Sequence, residues 1–174
     1  MTDYIFDETK RIFTKYKTRD PFELLDSMGA RVVFTNKYGK NGLKGYSTVM
    51  NRIKFAVINA QLPNTERRIV AGHEAVHLIL HMDEITSSPI KALQDFNLFD
   101  NSGKIEYEAN LFLADFMLED VDIMENVRDE DMDFFRSARS LYVPPPLLAF
   151  KLYSMMRRGY EVRSPIDLES RFLR

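Results

Sequence analysis

The chain contains no cysteine. That absence excludes disulfides, thiolate metal sites and cysteine nucleophiles together, and it fits a reducing, cytoplasmic setting. Charge of neither sign predominates. Against 26 Asp and Glu stand 24 Lys and Arg, for a formal net charge of -2 and a pI near 6.0, so no global field draws the chain to nucleic acid. Long apolar runs are missing too. The longest uncharged stretches, such as 140–150 with Pro144, Pro145 and Pro146 inside it, fall well short of the roughly 20 residues that a membrane-spanning helix needs. Asp3, Asp7 and Glu8 stand where a signal peptide needs a basic start and an apolar core, so the chain is expected to be mature from Met1 and to remain cytoplasmic. Neither a membrane nor a direct nucleic-acid partner is expected. What is present is 174 residues, 45% of them hydrophobic, enough for one well-filled domain.

Apolar residues recur at helical spacing in 4–16, and Asp20 followed by Pro21 restarts a short helix that Gly29 ends. The period then changes. Residues 31–35, 43–50 and 52–61 are rich in Val, Ile, Phe, Tyr and Thr and are separated by Gly39, Asn41, Gly42 and Asn51, which predicts three antiparallel strands. A helix apolar on all sides, hence buried, is predicted over 66–82, and a second strongly apolar helix over 104–118. The acidic stretch 119–133 reads as a solvated surface. Residues 134–141 read as helical, the triple proline as a break, and 147–158 as a last helix closed by Gly159. With no repeat or linker to divide it, the chain is expected to be an α+β single domain, 1–174, with a small three-stranded antiparallel sheet packed on a mostly helical body.

The chemistry concentrates in His73, Glu74, Ala75, Val76 and His77, an HExxH pattern inside the buried helix. Residues four apart share a helical face about 6 Å apart along the axis, so both imidazoles can reach one ion. Glu74 sits beside them, placed to act as general base toward a water at an open coordination position. Without thiolates, the donors must be imidazole and carboxylate, a set that suits Zn2+ in a catalytic arrangement. The expected reaction is metal-assisted peptide hydrolysis.

A third ligand has to be found elsewhere. His81 lies eight residues past His73, about 12 Å along the axis, too far to share an ion with both histidines; it is expected to cap or pack. Asp83, ten residues after His73, has the spacing of the third ligand in metzincins, which resemble this arrangement but need a Gly after the second His where this chain has Leu80. Glu106 and Asn110 share a face of the second apolar helix, where a carboxylate on apolar surface calls for a partner and Asn110 could hold a ligating imidazole. Glu106 could equally be a surface residue favoured by the helix dipole on a frayed first turn. Glu108, turned about 200° away around the helix, remains the substitute ligand.

The runs Leu43, Lys44, Gly45, Tyr46, then 52–59, then Ala71, Gly72, His73, Glu74, Ala75, Val76, His77, Leu78, and finally Glu106 to Phe112 resemble the ImmA/IrrE metallopeptidases of phages and integrative elements. The resemblance covers about 43–118. It implies a zincin-like core over 31–118, with N-terminal helices in 1–30, a C-terminal helical region in 119–174 and the HExxH helix central. It further implies His73, His77 and Glu106 as zinc ligands, Glu74 as catalytic base, and cleavage of a helix-turn-helix repressor, the act of an anti-repressor. Two departures stand out: Ala75 and Val76 replace the family's frequent HELGH, and Leu118 and Glu119 replace its closing Met and Pro.

No acidic residue interrupts 27–65, whereas Arg31, Lys37, Lys40, Lys44, Arg52 and Lys54 are basic. The strand 52–59, with Arg52, Phe55, Val57 and Asn59, is expected to border the site and pair with an extended substrate; alternatively the basic residues guard a sheet edge against aggregation. Tyr46, Tyr107 and Tyr142 are each able to donate to an oxyanion, and nothing in the sequence separates them. A DNA-reading helix-turn-helix over 129–152 is disfavoured by its three prolines and the acids preceding it. The main rival to a peptidase is a zincin-like module that binds a regulator or senses a signal without hydrolysis. Glu74 speaks for the enzyme, because a purely structural site has no use for a base beside its ligands.

Overall fold

Asp20 starts a helix for a local reason: its side chain accepts from the N–H groups of Phe22 and Glu23, while Pro21, which has no N–H to satisfy, occupies the first turn. A computed structural model of the chain describes residues 2–88, 92–95, 99, 103–127 and 133–163. It divides into two compact units, Tyr16–Leu98, and Met1–Lys15 together with Phe99–Arg174. The fold class is α+β, as expected.

The first unit contains α2 (Pro21–Ser27), strands β1 (Arg31–Thr35), β2 (Gly45–Met50) and β3 (Ile53–Asn59), then α3 (Asn64–Leu80), α4 (Met82–Ser87) and β4 (Ala92–Asp95). The sheet runs β1-β3-β2-β4. Asn51 and Arg52, with φ of 51° and 65°, form the two-residue turn that joins β2 to β3 as an antiparallel hairpin. β1 departs from expectation: it pairs parallel to β3, Arg31 opposite Phe55 through Thr35 opposite Asn59. The period of two that reveals a strand carries no information on direction, and residues 36–52 let the chain pass along β2 and return before β3 begins. A fourth strand, β4, pairs antiparallel with β2. The sheet is therefore four-stranded and mixed rather than three-stranded and antiparallel.

α3 packs against β2 and β3 on one side and α2 on another. That placement accounts for its lack of a polar face: all ten residues from Ile69 to Leu78 are buried. The helix stops at Leu80, short of the expected end at 82. His81, at φ -120° and ψ 31°, leaves the helical path and the chain restarts as α4.

The second unit contains α1 (Thr2–Tyr16), α5 (Lys104–Met117), α6 (Asp120–Val127), α7 (Phe134–Ser140) and α8 (Pro145–Arg157). On α1, Ile5, Thr9 and Ile12 make one buried face. Asp133 caps α7 by accepting from the Arg136 N–H at 2.7 Å. Pro145 and Pro146 begin α8 rather than break the chain, because the first helical turn has no use for their missing N–H groups.

Helices α5 and α8 pack together, and polar groups are sealed between them. The Lys151 ammonium, 1% exposed, reaches Asp115 at 2.9 Å and Asp120 at 2.7 Å. Ser154 donates to Asp115 at 2.6 Å, and Arg158 grips Asp120 with both terminal nitrogens, at 2.5 and 2.8 Å. Asp120 thus leaves the solvated acidic surface expected of 119–133, whereas Glu119 and Asp122 are exposed. Residues 128–132 of that stretch lie outside the described residues. Among the described residues no helix is long and apolar enough to cross a membrane.

Candidate metal centre

α3 delivers three chemically competent side chains to one buried place. His73, Glu74 and His77 are each 0% exposed. The four-residue spacing stacks the two imidazoles on the same face, ring centroids 4.6 Å apart and nearly perpendicular at 81°. A carboxylate buried this deeply is costly unless cations or hydrogen bonds compensate it. Two buried imidazoles one turn apart supply nitrogen donors suited to a borderline-soft divalent cation, the carboxylate beside them is placed to accept a proton, and with no cysteine in the chain there is no thiolate to favour a closed site. The residues present fit a zinc ion.

Glu74 has a neighbour that the sequence reading did not single out. Gly45, the first residue of β2, lies so close that a Cβ built on it would fall 2.7 Å from Glu74 Oε1, 2.5 Å from Val70 Cγ1 and 3.0 Å from the Val57 carbonyl oxygen. The backbone of β2 is thus in contact with the carboxylate, which only glycine permits. An isolated Gly opening a strand pattern is the signal that could have revealed it.

His81 is buried at 2% exposure. Its Nδ1 lies 3.0 Å from His77 Nδ1, and the ring centroids are 5.2 Å apart. The residue does end α3, as a cap was expected to, and it also packs its ring on a candidate ligand. Asp83 is exposed in the first turn of α4, beyond the break.

Glu106 and Asn110 belong to α5, in the second unit. Glu106 stands in the first turn and is half-buried, and Asn110 is 0% exposed. Glu108 faces Lys104, its Oε1 3.7 Å from the ammonium.

The expectation for 52–59 needs correction. β3 lies between β1 and β2, so both its edges already have strand partners and it cannot take up a further strand. The residues named there serve the fold. Arg52 is exposed in the hairpin turn and Val57 is buried. Asn59 donates to the carbonyls of Gly39 at 2.6 Å and Leu43 at 3.0 Å and accepts from the Gln61 N–H at 2.9 Å, tying down the preceding loop. Phe55 is half-buried. Of the basic residues, Lys44 pairs with Glu66 at 3.0 Å, and Arg31 is exposed on β1, at an edge of the sheet.

The three tyrosines differ. Tyr142 is 85% exposed and Tyr107 is 2% exposed. Tyr46 follows Gly45 on β2; burial, with the neighbouring Tyr38 adding to it, raises its phenol above the ordinary range.

Comparison with known proteins adds three findings. The profile of the peptidase family described as the IrrE N-terminal-like domain matches residues 25–152. A protein of Bacillus phage phi105 named "Uncharacterized immunity region protein 2" is 32% identical over 111 residues, 64% of this chain and 66% of that protein, so the match spans just under two thirds of the relative's length. No solved structure matches the chain.

Proposed function

We propose, because this chain belongs to the IrrE N-terminal-like peptidase family, that it is a zinc-dependent endopeptidase acting on a regulatory protein, a helix-turn-helix repressor of the kind phages carry. The observation that carries this reading is the buried His73, Glu74 and His77 on α3. Membership of a peptidase family supports a protein substrate, and the phage relative, named for an immunity region, supports a repressor as that substrate. The lack of cysteine fits work in the cytoplasm.

His73, His77 and Glu106 are the proposed ligands, two imidazoles and a carboxylate, donor types that catalytic zinc takes. Glu106 is preferred to Glu108 because Glu108 faces Lys104 on its own helix. Asn110, one turn after Glu106, is proposed to orient a ligand. When bound, zinc would polarise the scissile carbonyl and make the attacking water more acidic. Glu74 takes the proton of that water as its oxygen bonds to the carbonyl carbon, and returns it to the amide nitrogen as the C–N bond breaks. Gly45 leaves the space beside β2 that the Glu74 carboxylate occupies, where a Cβ would fall 2.7 Å from its Oε1.

The test is to purify the protein, quantify bound zinc, and incubate it with helix-turn-helix repressors encoded beside its gene, comparing wild type with Glu74→Gln. Zinc retained and cleavage lost in Glu74→Gln is the expected result. Cleavage that persists in this variant removes the mechanism, and a zinc-loaded wild type that binds such a repressor without cutting it establishes the non-proteolytic regulator instead. Glu106→Gln should lower zinc occupancy while Glu108→Gln should not; the reverse moves the third ligand.

A further inference from the structure

The chain has three histidines, all buried, and the proposed function uses two. The third, His81, is too far along the chain to join His73 on one ion, yet its position is closely determined. Its N–H donates to the His77 carbonyl at 2.9 Å, and its carbonyl accepts from the Ile85 N–H at 3.0 Å. With both backbone groups tied across the break between α3 and α4, the ring is held against His77, Nδ1 to Nδ1 at 3.0 Å.

Two imidazole nitrogens at that distance attract only if one carries a proton and the other offers a lone pair. A histidine that ligates a metal gives a lone pair to the ion from one nitrogen and donates its proton from the other. We propose that His81 is a positioning residue for His77: its Nδ1 accepts the proton of His77 Nδ1, which fixes the His77 tautomer and ring orientation and leaves Nε2 as the atom that coordinates. His81 then carries its own proton on Nε2. The inference rests on the reading of His77 as a ligand.

The experiment measures zinc affinity by competition with a chelator, and records long-range proton–nitrogen spectra of histidine-labelled, zinc-loaded protein. Wild type, His77→Gln, His81→Phe and His81→Gln are compared, each with a thermal melt of the metal-free form. His81→Phe should bind zinc about 10- to 100-fold more weakly with little change in the metal-free melt, and the His77 ring should lose its single tautomer. His81→Gln, whose amide oxygen can accept the same proton, should recover part of the affinity. Wild-type spectra with the His77 proton on Nε2 would overturn the proposal even if no variant folds, as would wild-type affinity in His81→Phe. If His77→Gln binds zinc as tightly as wild type, the ligand assignment itself fails; loss in His77→Gln alone, with His81→Phe unaffected, sinks only the role of His81.

Discussion

Replacing Gly45 by alanine adds one methyl group at the point where β2 meets the proposed general base. The new carbon would stand 2.7 Å from Glu74 Oε1, whereas ordinary contact begins near 3.4 Å, so a separation of at least 3.4 - 2.7 = 0.7 Å has to be found. The Val57 carbonyl, at 3.0 Å, belongs to a strand locked between two partners and yields little. Val70, at 2.5 Å, is on the packed face of α3. The carboxylate must therefore move, together with a slight parting of sheet and helix. Overpacking of this kind costs about 1–3 kcal/mol, readable as a lower urea midpoint. A displacement approaching 1 Å in a reacting group can cost on the order of 100-fold in rate, so kcat for repressor cleavage should fall about 10- to 100-fold. Zinc content should hold, because neither imidazole is among the three atoms nearest the added methyl group. An alanine variant with wild-type midpoint and wild-type kcat would refute the claim that backbone contact sets the position of Glu74.

Three further outcomes are expected. Lys151→Met should lower unfolding free energy in urea by about 3–5 kcal/mol, because Asp115 stays buried without its ammonium; a loss under 1 kcal/mol would show the network to be incidental. Burial alone would raise the Asp120 carboxyl, but hydrogen bonds from Arg158 and Lys151 outweigh it and hold the group well below the usual carboxylate range. A carboxyl depressed on folding contributes stability above its unfolded value of about 3.9 and loses it as pH falls through the lower folded value, so urea midpoints should drop below about pH 4, and less steeply in Asp120→Asn. Parallel pH profiles for the two proteins would contradict this. Asn59→Ala should cost about 1–3 kcal/mol through carbonyls left without their donor and speed proteolysis within 36–44; unchanged cutting there would show that the loop is held by other contacts.

What could be read from the sequence depended on how far each signal reaches along the chain. Asp20 and Pro21 act over three residues, and α2 begins where they require. The pairing of His73 with His77 is a property of one helix, so it followed from spacing. The direction of β1 depends on how the chain returns through β2, which no residue of β1 encodes. The end of α3 at His81 also escaped, since Leu80 and Met82 on either side are good helix formers and the reason to stop lies in tertiary packing. Gly45 was visible as a residue but not as a neighbour of Glu74, because that contact joins a strand to a helix 29 positions later. Asp115 and Lys151 were hidden for the same cause: 36 residues separate two charges that meet only when α5 packs on α8. The prolines at 145 and 146 carried an ambiguous message, since the same missing N–H that ends one helix is harmless at the start of the next.

The sealed ammonium of Lys151 also makes a built-in clock. An amine-acylating reagent attacks exposed lysines such as Lys104, 61% accessible, at once, but can modify Lys151 only in molecules whose α5 and α8 have come apart. Peptide mass spectrometry over a time course would therefore report the opening of this unit, as its rate where acylation outpaces reclosing and as its open population where reclosing is faster, with no denaturant and no knowledge of the substrate.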